Sequence, residues 1–258
     1  MMDMLQNNWF VFPQPNPQAK MRLFCLPYSG SGAVAYRTWP DNLPREIEVC
    51  AIQLPGRENR LRERPFTQVQ PLVDAIVAEI APYLDKPFAI FGHSLGALIA
   101  FELARSLRRC FGELPRILLV SGRGAPDCCL REEPIHALPD DAFITRLRDF
   151  NGTSEMVLRN QELMALLLPV LRADFAINET YEYTADLPLT CPVAAYRGAK
   201  DTNMTYEDVD AWRQETSAAF RLRTLPGDHF FIHNSANLFW RMLNYDLGQV
   251  LYESEKVF

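Results

Sequence analysis

No stretch of the chain approaches the roughly 18 consecutive apolar residues that a bilayer-spanning helix requires. Residues 1–20 also lack the basic start and apolar run of a signal peptide. These absences argue against membrane insertion and secretion, and the expectation is a cytoplasmic protein. Basic residues are in deficit, 26 Lys and Arg against 32 Asp and Glu, and a net charge of -6 is the wrong sign for a nucleic-acid binder. Cysteine is sparse and scattered: Cys25, Cys50, Cys110, Cys128, Cys129 and Cys191 contain no Cys-x-x-Cys spacing. Zinc and dithiol redox motifs are thereby disfavoured, and buried free thiols are expected. Only four histidines are present, so a search for a histidine base is short.

What the chain does contain is an ordinary globular composition, 48% hydrophobic and 22% charged over 258 residues, enough to bury a sizeable core as a single domain, 1–258. Short apolar runs at 21–26, 47–53, 88–91, 117–121, 193–197 and 220–225 read as strands, the one at 88–91 as a buried strand. Longer amphipathic runs at 69–83, 95–109, 206–216 and 236–251 read as helices. Such alternation implies an α/β fold with a mostly parallel central sheet flanked by helices. The interval 125–188 breaks the rhythm. It has no strand pattern but carries helical periods at 140–150 and 162–179, the second with a kink expected at Pro169. Inserted between two sheet strands, it is expected to form a helical lid over the C-terminal edge of the sheet, where open α/β proteins bind ligands. Phe143, Leu147, Met156, Leu163, Leu166, Leu167, Leu171 and Phe175 make it too apolar for a solvated connector.

Within Phe88-Ala89-Ile90-Phe91-Gly92-His93-Ser94-Leu95-Gly96-Ala97, an apolar strand runs into Gly-x-Ser-x-Gly and then into a helical period. That is the pattern of a nucleophile elbow, in which a sharp turn exposes the serine oxygen and the flanking glycines avoid clashes. Ser94 is the candidate nucleophile. A serine hydroxyl needs a base, and the base needs a carboxylate to orient it. His93 lies inside the elbow with its side chain expected to point away from Ser94, His136 precedes the insertion helices, and His233 falls beside a helix start. His229 follows the last predicted strand directly and is the expected base, with His233 as the alternative. Asp201 ends the run from Val193 and leaves a strand on the same edge, so it is the expected carboxylate. Asp228 is adjacent to the base but poorly placed to face it, and Asp208 and Asp210 read as surface helix residues, Asp208 also completing a capping box with Thr205. The backbone N–H groups of Leu95 and of Ser29, in the loop after the first predicted strand, are the expected oxyanion donors.

With these residues assembled, the chain resembles the type II thioesterases that accompany modular polyketide and non-ribosomal peptide synthetases. The resemblance is carried by Phe24-Cys25-Leu26-Pro27-Tyr28-Ser29-Gly30, Gln53-Leu54-Pro55-Gly56-Arg57-Glu58, Gly92-His93-Ser94-Leu95-Gly96-Ala97, Leu168-Pro169-Val170-Leu171-Arg172-Ala173-Asp174-Phe175 and Gly227-Asp228-His229-Phe230-Phe231. It departs from the family pattern at Asp228, where members often have a second glycine. The resemblance implies an α/β-hydrolase fold with a helical lid and a Ser94, Asp201, His229 triad. It also implies hydrolysis of acyl thioesters on the phosphopantetheine arm of acyl or peptidyl carrier protein domains. No metal and no cofactor of the enzyme's own are expected, since the phosphopantetheine belongs to the partner, and a monomer is expected. Two alternatives remain open: a product-releasing or medium-chain fatty acyl thioesterase, and a non-catalytic acyl-binding relative. Carrier proteins are commonly acidic, so one of two arginine groups is expected to steer docking: Arg57, Arg60, Arg62 and Arg64, or Arg105, Arg108 and Arg109. A merely solvated surface is the plainer alternative for both.

Overall fold

A computed structural model describes residues 8–128, 133–149, 152 and 155–251. Cys129 and the predicted helix end at Phe150 lie outside them, as does the start of the segment weighed as a signal peptide. Seven strands form one sheet: β1 (Phe10–Val11), β2 (Met21–Leu26), β3 (Ile47–Ile52), β4 (Phe88–His93), β5 (Leu118–Ser121), β6 (Val193–Gly198) and β7 (Phe220–Leu225). Their spatial order is β1-β3-β2-β4-β5-β6-β7. Every pair is parallel except β1 with β3, where Phe10 faces Ile52. A two-residue edge strand leaves too short a pattern to read from sequence, and β1 was not anticipated.

The helices are α1 (Val69–Ile80), α2 (Leu95–Phe111), α3 (Asp140–Asp149), α4 (Glu155–Leu158), α5 (Gln161–Glu179), α6 (Tyr206–Asp210), α7 (Phe231–Asn234) and α8 (Ala236–Leu251). Two predicted helices tighten into 3-10 turns at their ends, at Ala81–Tyr83 and Ala211–Glu215. Pro82 explains the first, since it has no N–H for an α-helical bond. α2 stops at Gly112, whose left-handed φ of 69° lets its N–H reach the Arg108 carbonyl at 3.1 Å.

β2, β3 and β4 are buried at all six positions each, as expected of parallel strands covered on both faces. Alternate side chains divide between two cores. Phe24, Ile90 and Val120 pack with α1 and α2 on one face, while Leu23, Phe91 and Tyr196 pack with Trp39 and α8 on the other. Fully burying each such large side chain contributes about 1.5–3 kcal/mol, which holds the central strands and the loops at their ends in fixed register.

Between β5 and β6 the described residues form helices and loops, α3 to α5 with their connections, apart from one isolated bridge from Leu189 to Thr216. They have a small core of their own, including Phe143, Leu147, Leu158, Met164 and Leu171. The apolar residues expected to pack there divide: Phe143, Leu147 and Leu171 are buried, whereas Met156, Leu163 and Leu166 are exposed. α5 runs through Pro169 as one helix. No helix among the described residues is long and apolar enough to cross a membrane.

Candidate active site

β4 lies between β2 and β5, and its C-terminal end delivers the chain into the elbow. Ser94 has φ 54° and ψ -117°, a left-handed backbone that costs a non-glycine residue on the order of 1–3 kcal/mol. The turn is pinned by the Ser94 N–H, which donates to the Ser121 carbonyl on β5 at 2.7 Å. The flanking glycines are sterically required. A Cβ at position 92 would sit 2.0 Å from the Gly96 carbonyl oxygen, and one at position 96 would sit 2.2 Å from the Leu26 oxygen.

Asp201 and His229 arrive from the loops after β6 and β7. These loops are stitched together by the Ala199 N–H on the Leu225 carbonyl at 2.7 Å and the Lys200 N–H on the Gly227 carbonyl at 2.8 Å. A Cβ at Gly198 would lie 2.2 Å from the Asp228 oxygen, so the glycine permits the close approach. His229 Nδ1 and Asp201 Oδ2 are 2.8 Å apart. The other carboxylate oxygen accepts the Asn203 N–H at 3.0 Å, which leaves Asp201 bonded on both sides and buried. A carboxylate on Nδ1 favours the tautomer with its proton there and leaves Nε2 as the basic nitrogen. Ser94, Ser29 and His229 line one cavity of about 200 Å³. No hydrogen bond joins the Ser94 and His229 side chains across it.

Of the two residues expected to supply oxyanion amides, Ser29 lines this cavity and Leu95 directly follows Ser94, which also lines it. Leu95 is the first residue of α2, so its N–H is one of those without an intrahelical acceptor. Ser29 lies in the loop after β2, ahead of Gly30 with φ 75°. The Gly30 N–H donates to Asp174 Oδ2 on α5 at 2.8 Å.

The other candidates take different places. Asp228 accepts the Phe230 N–H and the Asn234 side-chain amide, and so braces the turn into α7, while His229 Nδ1 is met by Asp201. His136 binds Glu179 within the insertion at 2.6 Å. His233 approaches the Tyr28 hydroxyl at 3.5 Å, with burial lowering its pKa. Asp208 is not a plain surface residue: it caps α6 through Thr205 and lines the Ser94 cavity. Asp210 pairs with Arg213 at the surface.

Sequence reasoning missed the surroundings of His93. Its fully buried ring bonds Ser121 Oγ at 2.9 Å, and its centroid lies 5.0 Å from that of His229. Burial, helped by the neighbouring histidines, pushes its pKa well below the ordinary range, which keeps the ring neutral. A Cβ on Gly122 would come within 2.5 Å of this ring, and that contact between strand ends leaves no local pattern.

The arginine groups need correction. Arg57 is buried in a bidentate pair with Asp174, both contacts at 2.8 Å, and also bonds the Ser31 carbonyl. Arg60 is buried over the Trp9 ring and bonded to Glu63. Arg105 is buried against Glu102, and Arg108 is spent on Asp186 and the carbonyls of Leu187 and Pro188. These side chains hold loops and helices together. Arg62, Arg64 and Arg109 remain exposed.

Among the described residues no group of three or more His, Cys, Asp or Glu side chains is placed to hold a metal ion. The profile of a protein family described as the thioesterase domain matches residues 21–244. Gramicidin S biosynthesis protein GrsT of Aneurinibacillus migulanus is 49% identical over 229 residues, 89% of this chain and 90% of that protein. Thioesterase PikA5 of Streptomyces venezuelae is 38% identical over 88% of this chain and 80% of its own length. The solved structure of the type II thioesterase BorB from the borrelidin biosynthetic cluster superposes with a TM-score of 0.85 at 32% identity, covering 95% of this chain and 98% of that one.

Proposed function

The chain belongs to the thioesterase family, with an α/β-hydrolase fold, and from that premise we propose that it is a type II, editing thioesterase. It releases acyl groups from the phosphopantetheine arm of carrier protein domains in a non-ribosomal peptide or polyketide synthetase. The observation that carries this reading is the meeting of two strand ends at one cavity, strained Ser94 after β4 and His229 after β7, with buried Asp201 after β6 at 2.8 Å from the His229 ring.

In the proposed mechanism His229 Nε2 accepts the Ser94 hydroxyl proton as Oγ attacks the thioester carbonyl carbon. Asp201 holds the imidazole and stabilises the imidazolium that forms. Negative charge moves onto the carbonyl oxygen, where the N–H groups of Leu95 and Ser29 stabilise it. Collapse breaks the carbon–sulfur bond, and the pantetheine thiol leaves with the proton from His229. Water then attacks the Ser94 ester with His229 as base, releasing the carboxylic acid and restoring the hydroxyl. The Ser94–His229 hydrogen bond forms when substrate is seated, since such bonds are often loose in the free enzyme. The sequence uses no cofactor of the enzyme's own. The helical insertion serves as a lid over the cavity, with Phe175 of α5 and Ile135 contributing apolar wall.

The experiment is covalent labelling of the full chain with a serine-directed fluorophosphonate, followed by hydrolysis assays on acetyl-loaded carrier protein. Labelling at Ser94 together with release of acetate is the expected result. An unlabelled Ser94 with no acyl release would assign the chain to a binding role instead.

A further inference from the structure

Arg123 stands in the wall of the Ser94 cavity, and nothing in the proposed triad chemistry uses it. It follows β5 and Gly122, and its carbonyl is fixed by the indole N–H of the buried Trp212 at 2.9 Å. Its guanidinium donates from Nη1 to Asn178 Oδ1 on α5. Its Nε is buried without a hydrogen-bond partner. Among the described residues no carboxylate forms an ion pair with it. Of the acidic side chains lining the same cavity, both oxygens of Glu179 are taken by the N–H groups of Ile135 and His136 and by the His136 ring, and Asp208 Oδ2 accepts the Thr205 N–H. Glu133 is exposed. Burial brings the Arg123 pKa down to about 10, still far above neutral pH, so the side chain stays cationic.

A partly buried cation with no counter-ion among the described residues is costly, and an alkyl chain entering the cavity would do nothing to relieve it. A carboxylate would, because the planar guanidinium fork matches its two oxygens. Resting on the thioesterase reading above, we propose that Arg123 is a specificity residue that recognises a carboxylate on the acyl group, so that the preferred substrates are short dicarboxylic half-thioesters. The small cavity, about 200 Å³, suits an acyl group of a few carbons. Asn178 holds the guanidinium from the insertion side, so the carboxylate would be received where α5 meets the end of β5.

The test compares kcat/KM for malonyl-, succinyl- and isovaleryl-pantetheine in the wild type, Arg123→Met and Arg123→Lys. Isovaleryl matches malonyl in heavy-atom count but carries no charge. The expected wild type favours malonyl or succinyl over isovaleryl by about tenfold or more, as a site built around a buried polar group discriminates. R123M should lose that preference while isovaleryl turnover stays within about threefold, and R123K should retain part of it. Equal losses on charged and neutral substrates, or no loss at all, overturn the assignment. Should R123M fail to fold, the wild-type ratio decides alone, and a ratio at or below one overturns it. Hydrolysis of isovaleryl only would remove the carboxylate assignment and leave the thioesterase reading standing. Hydrolysis of none of the three would remove both.

Discussion

Asp174 on α5 and Arg57 in the loop after β3 are 117 positions apart in sequence and form a buried bidentate ion pair. The same carboxylate accepts the Gly30 N–H, and the same guanidinium donates to the Ser31 carbonyl. One pair thus ties the helical insertion to the loop that carries Ser29.

Removing one partner leaves the other charge buried without compensation. Asp174→Ala or Arg57→Met alone should lower unfolding free energy by about 3–5 kcal/mol, measured by denaturant titration. The Asp174→Leu, Arg57→Met double variant should recover much of that loss. Single variants within about 1 kcal/mol of wild type would mean that the pair is not structurally important.

Ser94 carries backbone strain that glycine would not feel. Ser94→Gly should therefore be at least as stable as Ser94→Ala in thermal unfolding, although glycine ordinarily costs folding entropy. Both variants should lose about a thousandfold or more in kcat with acyl-carrier substrates. Retained activity in either would require a different nucleophile.

The contact between Asp201 and His229 Nδ1 sets the tautomer. Asp201→Asn should leave the fold intact and reduce kcat by roughly 10³–10⁴, the scale seen when a triad histidine is held in the wrong tautomer. A drop of less than tenfold would show that another group orients the base.

His93 is kept neutral in the folded state by burial, while in the unfolded chain it takes up a proton near pH 6.5. Its contribution to stability is thus intact above that pH and is lost as pH falls below it, at up to about 1.4 kcal/mol per pH unit. The wild type should lose more stability between pH 7.5 and pH 5.5 than His93→Gln. Equal losses in chemical denaturation at the two pH values would contradict this role.

With Arg57 and Arg60 buried, only Arg62 and Arg64 of their loop are exposed to meet an acidic carrier. The Arg62→Glu, Arg64→Glu variant should raise KM for acyl-carrier protein severalfold at low salt, with KM for acyl-pantetheine unchanged. Equal changes on both substrates would exclude this loop as the docking surface.

Central strands such as β2 were legible because strands buried on both faces read as apolar runs, whereas β7, at the sheet edge and mostly half-buried, was legible from Phe220, Leu222 and Leu225 interleaved with polar residues. α8 was equally plain from its helical period. Elements of two to four residues, β1, α4 and α7, are shorter than the period that would reveal them. Arg57 looked like surface charge because a sequence shows the charge of a side chain and not the carboxylate that reaches it from another helix.

Sequence by itself determined the nucleophile motif, the order of strands and helices, and the short set of histidines and carboxylates at strand ends, because periodicity and turn chemistry act over a few neighbouring residues. Tertiary structure alone decided that His93 lies neutral beside the His229 ring, that Arg57 is buried against Asp174, and that Arg123 stands in the Ser94 cavity with no carboxylate partner among the described residues. Each of these depends on which loops and helices pack against one another across the sheet, and on the burial that results.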